Sequence, residues 1–367
     1  MSAWLQRIGT AVPPNDVHAA FVAYARTLLR TPREKQVFDR MVERSGIHHR
    51  WSVLKPGRLD AGEIDGDGFY RPGAFPATSK RMALFETESL KLAQAAVAAL
   101  APQPTLAALL PRVTHLVVAS CTGFAAPGLD VQLVDALGLQ PNVQRTVVGF
   151  MGCSAALPAL RVAQQAVLAD RDALVLVLNV ELSSLHLLES HSLEELLSFL
   201  LFGDAATAAL VGSVPRGAQM LDFQTRLLPA SRDLITWHIG DQGFVMQLSG
   251  QVPEAIHHAL QQEMQADTQT PTGLLRGERT QDYALWAVHA GGRTVLDAVQ
   301  RGLALPDAAL ADSRAVLAEV GNVSSATVMF VLQRMLAHGR PGARGLALAF
   351  GPGVTAESLR FQLAGVP

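Results

Sequence analysis

Five short apolar runs, bounded by turn residues and separated by segments of helical periodicity, constrain this chain more than any other feature. Thr114 to Ser120, Ala173 to Val180 and Ala205 to Val211 read as buried strands, as do Tyr283 to Val288 and Gly345 to Phe350. Uninterrupted apolar runs of this length suit strands covered on both faces. The helical segments between them include Leu129 to Leu137, Leu157 to Ala169, a region ending near Leu200, Arg293 to Leu303 and Ser324 to Leu336. Strand and helix in alternation predict an α/β architecture, with parallel sheet and helices on both faces. Apolar residues are 49% of the 367 and charged residues 17%, enough to fill a large core. The pattern breaks around Val214 to Gly217, which predicts two halves, 1–214 and 215–367.

Before the first of these strands, Val17 to Arg30 reads as a helix, and Thr31-Pro32 opens another that runs to about Arg44. Arg40 and Arg44 lie one turn apart on it, so their guanidinium groups share a face. Asp60 to Pro76 has the Gly, Asp and Pro content of a surface loop, and Ala77 to Leu100 that of a long helix. A net charge of −2 without a basic stripe argues against nucleic acid or a membrane surface as partner. Two cysteines make no disulfide framework, the N-terminus lacks a leader pattern, and no apolar stretch approaches the ~20 residues of a spanning helix. A cytoplasmic protein is expected.

Chemistry concentrates first at Cys153. Val147 and Val148 lead into Gly149-Phe150-Met151-Gly152, and small residues follow before the helix. That places a thiol at a tight turn between strand and helix, where unpaired N–H groups and the helix dipole favour thiolate. The bland alternative is a small buried hydrophobe beside a glycine turn. His289 ends a predicted strand ahead of Gly291-Gly292, and is either a satisfied polar residue or a group that a ligand approaches closely. Asn322, between Gly321 and Ser324-Ser325, either caps the next helix or works in a site. Together the three are more telling. A Cys nucleophile needs a base, which His supplies, and an amide with an imidazole can bind a developing enolate oxygen. Decarboxylative carbon–carbon bond formation on thioesters requires that set.

The runs Gly-Phe-Met-Gly-Cys153, Leu-Phe202-Gly-Asp, Trp-Ala-Val-His289-Ala-Gly-Gly, Gly-Asn322-Val-Ser-Ser-Ala and Phe350-Gly-Pro-Gly span nearly the whole chain. In that order the sequence resembles the bacterial chalcone synthase-like type III polyketide synthases. The resemblance implies a thiolase-like αβαβα layered fold of two duplicated halves and a homodimer. It implies iterative condensation of malonyl-CoA onto an acyl-CoA starter, aliphatic or malonyl, giving a pyrone, resorcinol or related aromatic product. No acyl carrier protein is required by that likeness, and no metal or cofactor beyond the CoA thioester substrates is implied. Cys153 would carry the acyl chain, His289 and Asn322 would stabilise the malonyl enolate, and Phe202 would be the gate between CoA tunnel and cavity. Arg40 and Arg44 match two residues that hold CoA phosphates, while the third such position is Val37.

Departures from the family pattern bear on the substrate pocket. Met246 stands at the second gate, usually Phe, and Trp237 at a Gly that widens the plant cavity. His186 aligns with a cavity Thr, Ala126 with a Met that reaches into the partner's site, and Cys121 with another cavity Thr; Ser324 follows Asn322 toward the same pocket. Trp237 should block bulky aromatic starters, while Ala126 removes bulk. The competing readings are a ketoacyl-ACP synthase III-like condensing enzyme and a non-catalytic acyl-CoA-binding protein on the same fold.

Overall fold

The computed structural model describes residues 2–265 and 273–365. Its strands are β1 (Ala3–Ala11), β2 (Asn15–Asp16), β3 (Trp51–Ser52), β4 (His115–Ser120), β5 (Gln144–Gly149), β6 (Val175–Leu182), β7 (Asp204–Gly212), β8 (Ala218–Leu227), β9 (Ile235–Gly240), β10 (Gly243–Leu248), β11 (Leu285–Val288), β12 (Arg344–Gly351) and β13 (Thr355–Leu363). The helices are α1 (His18–Leu28), α2 (Pro32–Ser45), α3 (Thr78–Ala98), α4 (Gln103–Leu109), α5 (Leu129–Leu137), α6 (Ala156–Ala169), α7 (Leu193–Phe199), α8 (Val252–Gln265), α9 (Arg293–Gly302), α10 (Ala311–Val320) and α11 (Thr327–His338). None of the described helices is long and apolar enough to cross a membrane.

Nine strands form one sheet in the order β11-β12-β13-β8-β1-β7-β6-β4-β5. Read outward from its centre, β1-β7-β6-β4 and β8-β13-β12-β11 repeat one another, and β1 meets β8 with Ala3 opposite Met220. The sheet is not the parallel one that strand–helix alternation suggests. Only β4–β5, β4–β6 and β11–β12 are parallel, and the remaining pairs run antiparallel. The strands responsible, β1, β8 and β13, have partly exposed positions along their length and so lack the continuous apolar runs of the others.

Side-chain alternation along the buried strands defines the layers. On β6, Val175 and Val177 face a central core, while Leu176, Leu178 and Val180 face an outer one. In the second half Ala347 and Ala349 of β12 join the same central core, and Leu346 and Leu348 a third. The central core holds α6 and α11, with Leu157 and Leu160 packed among Val328, Val331 and Leu332, all essentially inaccessible. The outer cores are closed by α3 and α5 on one side and by α8, α9 and α10 on the other. Sheet on either side of a central helical layer, with helices outside both, is the αβαβα arrangement. Polar termini fall within it where strands meet the ends of α6 and α11, and there the site forms.

Candidate active site

Cys153 stands where β5 turns into α6. The chain leaves Gly149, takes a positive φ of 56° at Phe150 and 60° at Gly152, and passes through a 3-10 turn, Gly152–Ser154, before α6 begins at Ala156. A side chain on Gly152 would collide with the Pro352 ring. The glycine is therefore required twice, for its left-handed backbone and for the approach of the Phe350-Gly-Pro-Gly segment. Pro158 lies in the first turn of α6, where a missing N–H costs little.

His289 follows β11, its N–H donating to the Leu348 carbonyl of β12 at 2.8 Å. Asn322 follows α10 and Gly321. Its N–H donates to the Leu201 carbonyl at 2.8 Å, and its carbonyl accepts from Gly203 N–H at 3.0 Å, so Phe202 and Asn322 are bridged backbone to backbone. Gly321 has φ 69°, and a Cβ there would stand 2.9 Å from the Leu201 carbonyl. The Asn322 side chain is held at both ends: Oδ1 accepts from Ser324 N–H at 2.9 Å and Nδ2 donates to the Gly291 carbonyl at 3.2 Å. With the oxygen occupied, the amide can present N–H to the cavity. Beneath Phe202, the buried Arg50 donates to the carbonyls of Phe199 (2.7 Å) and Phe202 (3.2 Å) and to His18 Nδ1 (3.0 Å). Burial lowers this guanidinium to about 9, with Asp16 and Asp204 acting the other way.

Cys153, His289, Asn322, Phe202, Trp237, Met246, Cys121 and Ser324 line one cavity of about 970 Å3. Burial pushes the Cys153 thiol up to about 11, with Glu181 adding to the rise and the Ser324 and Asn322 side chains opposing it. Burial lowers His289 to about 3. His289 Nδ1 is buried without a partner, and among the described residues no hydrogen bond joins the thiol to the imidazole. The thiolate expected from a helix N-terminus is therefore corrected: Ser154 and Ala155 separate Cys153 from α6, and desolvation favours the neutral form of both groups.

The sequence reading missed Glu181. This fully buried carboxylate on β6 accepts from Cys121 N–H (3.1 Å), the Cys121 thiol (3.3 Å), Thr122 Oγ1 (2.9 Å) and Ser325 Oγ. Burial raises it, and it in turn helps raise Cys121, whose thiol also meets Ser324 Oγ at 3.3 Å. The signal was a carboxylate at the end of the run Val175 to Leu182, whose one other polar residue is Asn179.

Trp237 and Met246 lie opposite each other on the β9–β10 hairpin. The indole faces the cavity and donates to the Cys121 carbonyl at 2.7 Å. His186 does not line the cavity. It is fully buried, bonded to the Thr122 carbonyl (2.7 Å) and Phe244 N–H (3.0 Å), and stacked on Phe244 at 4.2 Å behind Trp237, because its ring satisfies both nitrogens there. Ala126 is also outside this cavity, exposed on the loop before α5. Arg44 lines the cavity mouth; Arg40, one turn earlier on α2, is exposed beyond the lining.

Comparison with known proteins follows the same geometry. The family description for chalcone and stilbene synthases matches in two parts, the N-terminal domain over residues 2–215 and the C-terminal domain over residues 219–365. The polyketide synthase-like protein Pks18 of Mycobacterium tuberculosis, named for alpha-pyrone synthesis, is 32% identical over 98% of this chain and 91% of its own. PKS-I from the brown alga Ectocarpus siliculosus shares 29% identity at TM-score 0.83, covering 99% of this chain and 98% of that one. The C-terminal type III polyketide synthase domain of Steely1 from Dictyostelium, at 23% identity and TM-score 0.86 over 99% of this chain and 100% of that one, shows the same fold. With both family domains matched in order along the chain, the protein belongs to the chalcone and stilbene synthase family, the acyl-transferring condensing enzymes known as type III polyketide synthases.

Proposed function

We propose that the protein catalyses iterative decarboxylative condensation of malonyl-CoA onto an aliphatic or malonyl acyl-CoA starter, releasing a pyrone, resorcinol or related aromatic product. One observation carries this reading: a thiol, an imidazole and an oriented amide from three separate chain segments border one cavity. In the first step Cys153 Sγ attacks the starter thioester as its proton passes to His289, and the departing CoA sulfur takes that proton. In the second step malonyl-CoA binds with its thioester oxygen toward His289 and the Asn322 amide. Donors that are neutral in the free site suit an enolate, since their hydrogen bonds strengthen as the oxygen gains charge. Loss of CO2, aided by the apolar face of Phe202 beside the carboxylate, leaves the enolate carbon to attack the acyl carbon on Cys153; the new carbon–carbon bond forms as the bond from that carbon to Sγ breaks, and the freed sulfur takes up a proton.

Trp237 and Met246 shape the far wall, and a partly filled pocket of this kind favours linear chains over coumaroyl-sized starters. The alpha-pyrone activity in the name of Pks18 is in keeping with a linear chain closed by lactonisation. A homodimer is part of the same reading. Strand β5 is a sheet edge with Val147 52% exposed, and the loop bearing Ala126 lies beside it. Light scattering on the purified protein tests this assembly. Two free thiols suit a cytoplasmic setting.

The decisive experiment is Cys153→Ala incubated with [14C]malonyl-CoA and hexanoyl-CoA. The variant should form no polyketide yet still release labelled CO2, because His289, Asn322 and Phe202 act on malonyl-CoA without the thiol. Full-length product from the variant would remove Cys153 as nucleophile.

A further inference from the structure

The outer face of α2 carries a pattern wider than Arg40 and Arg44, the two residues matched to CoA-phosphate binding. Arg33, Val37, Arg40, Met41 and Arg44 are spaced at 4, 3, 1 and 3 residues, so all five fall on one stripe of the helix, and all five are exposed. Val37 is 37% and Met41 39% accessible, among the few large apolar side chains left in water. The helix needs neither for packing, since it buries Phe38 and Ser45 on its other side. No carboxylate interrupts the stripe. Asp39 is bonded to Arg26 at 3.1 Å, and Glu34 is taken up in the capping box with Thr31, which leaves Glu43 at the edge.

The stripe leads to the cavity. Met41 and Arg44 line its mouth, and Arg293, the first residue of α9, reaches across to the Arg44 carbonyl at 3.3 Å. Arg293 is weakly neutralised, because Asp297 is 3.9 Å away and bonded at 2.6 Å to Arg314. On the neighbouring α7 Glu194 also lines the cavity, and the cations of the mouth come from α2 and α9. The three arginines alone would suit a nucleotide's phosphates, but the exposed Val37 and Met41 among them would not. Methionine, valine and arginine without lysine or carboxylate is instead the composition of a protein contact.

We propose that α2 docks an acidic acyl carrier protein, whose phosphopantetheine arm enters the cavity beside Met41 and Arg44 and presents the starter to Cys153. This rests on the condensing activity proposed above and adds a second donor to it. The transfer exchanges one thioester for another. The bond from Cys153 Sγ to the acyl carbon forms, the bond from that carbon to the pantetheine sulfur breaks, and the thiol proton passes to the departing sulfur. Carboxylates on the carrier would face Arg33, Arg40 and Arg44, and its apolar side chains would cover Val37 and Met41.

The test is acylation of Cys153 followed by intact-protein mass spectrometry, with hexanoyl-CoA and a hexanoyl-loaded fatty-acid-synthase acyl carrier protein as alternative donors. Carrier-bound hexanoate should acylate Cys153 with a rate constant per donor concentration at least equal to that of hexanoyl-CoA. Arg33→Glu and Arg33→Gln change the stripe away from the cavity lining and from the positions matched to CoA-phosphate residues, at an exposed site where both side chains are good helix formers. Each should lower transfer from the carrier at least tenfold and leave transfer from hexanoyl-CoA within twofold. Acylation by hexanoyl-CoA alone overturns the docking proposal and leaves the condensing reading intact. Equal loss from both donors in both variants also overturns it. Acylation by neither donor overturns both readings.

Discussion

Replacing Trp237 by glycine tests whether this one side chain sets the reach of the cavity. The indole lies opposite Met246 on the hairpin, donates to the Cys121 carbonyl at 2.7 Å, and meets His186 and Phe244 edge-on at 5.6 and 5.8 Å. Truncating a fully buried tryptophan costs about 3–5 kcal/mol. Here one face of the ring borders the cavity, so the apolar share is nearer about 2 kcal/mol. The Cys121 carbonyl loses its donor, worth about 1 kcal/mol, and a glycine within a strand adds about 0.5–1 kcal/mol. The folded state should therefore be weakened by roughly 3–4 kcal/mol, visible as a lower urea midpoint with an unchanged slope.

The gain should appear in substrate range. Each methylene that finds apolar contact contributes about 0.8 kcal/mol, so two or three more accommodated carbons amount to about 2 kcal/mol, or roughly 30-fold in kcat/KM. Kinetics with hexanoyl-, lauroyl- and coumaroyl-CoA would show the lauroyl-to-hexanoyl ratio rising by that order in Trp237→Gly, with coumaroyl-CoA newly accepted. Trp237→Phe keeps a ring but loses the N–H donor, and should keep the wild-type ranking at a smaller stability cost. An unchanged ranking in a folded Trp237→Gly protein would refute the reasoning and move chain selection to Met246 or to Cys121.

Because burial raises Cys153 to about 11, its thiolate fraction at neutral pH is small and grows with pH. Iodoacetamide inactivation of a Cys121→Ser background should thus accelerate about tenfold per pH unit from about 7 to 9, whereas a plateau below pH 8 would mean a preformed ion pair. Gly152→Ala forces a side chain onto a left-handed residue and into Pro352, so condensation should fall by at least about 100-fold, a displacement of about 1 Å sufficing; a near-normal kcat would show that the turn tolerates strain. Arg50→Met leaves the Phe199 and Phe202 carbonyls without their donor, and should cost about 2–4 kcal/mol in thermal stability while reducing malonyl-CoA decarboxylation. Arg50→Lys should recover part of both, and full decarboxylation by the methionine variant would detach Arg50 from the gate.

Strands whose residues are buried on both faces were legible because their apolar runs are continuous. Val175 to Leu182, Asp204 to Gly212 and the core of Arg344 to Gly351 lie within two residues of the runs that announce them. β1, β8, β13 and the β9–β10 hairpin were not legible, since polar residues alternate along them and leave no continuous apolar run. Missing these strands is what made the sheet look parallel. The antiparallel seam at the centre is built from β1, β8 and their neighbours β7 and β13.

The site was legible as motifs and illegible as a network, for a physical reason. Each motif pairs a reactive or aromatic residue with a glycine, and the glycines mark where separate segments meet. Gly152 meets Pro352, and Gly321 meets the Leu201 carbonyl beside Phe202. Such contacts join residues far apart in the chain, and spacing within a single motif carries no trace of its partner. The same holds for Glu181, whose four donors come from β4's end, the following turn and the approach to α11. The thiol shows the limit most plainly. A cysteine before a helix suggests a stabilised thiolate, but the state of Cys153 is set by the desolvation around it and by the nearby Glu181, and both come from the tertiary structure. On the mechanism proposed above the proton would leave the sulfur only as the thioester is attacked, with His289 as acceptor, so activity would depend on how closely the imidazole follows the sulfur and less on the resting charge of the thiol.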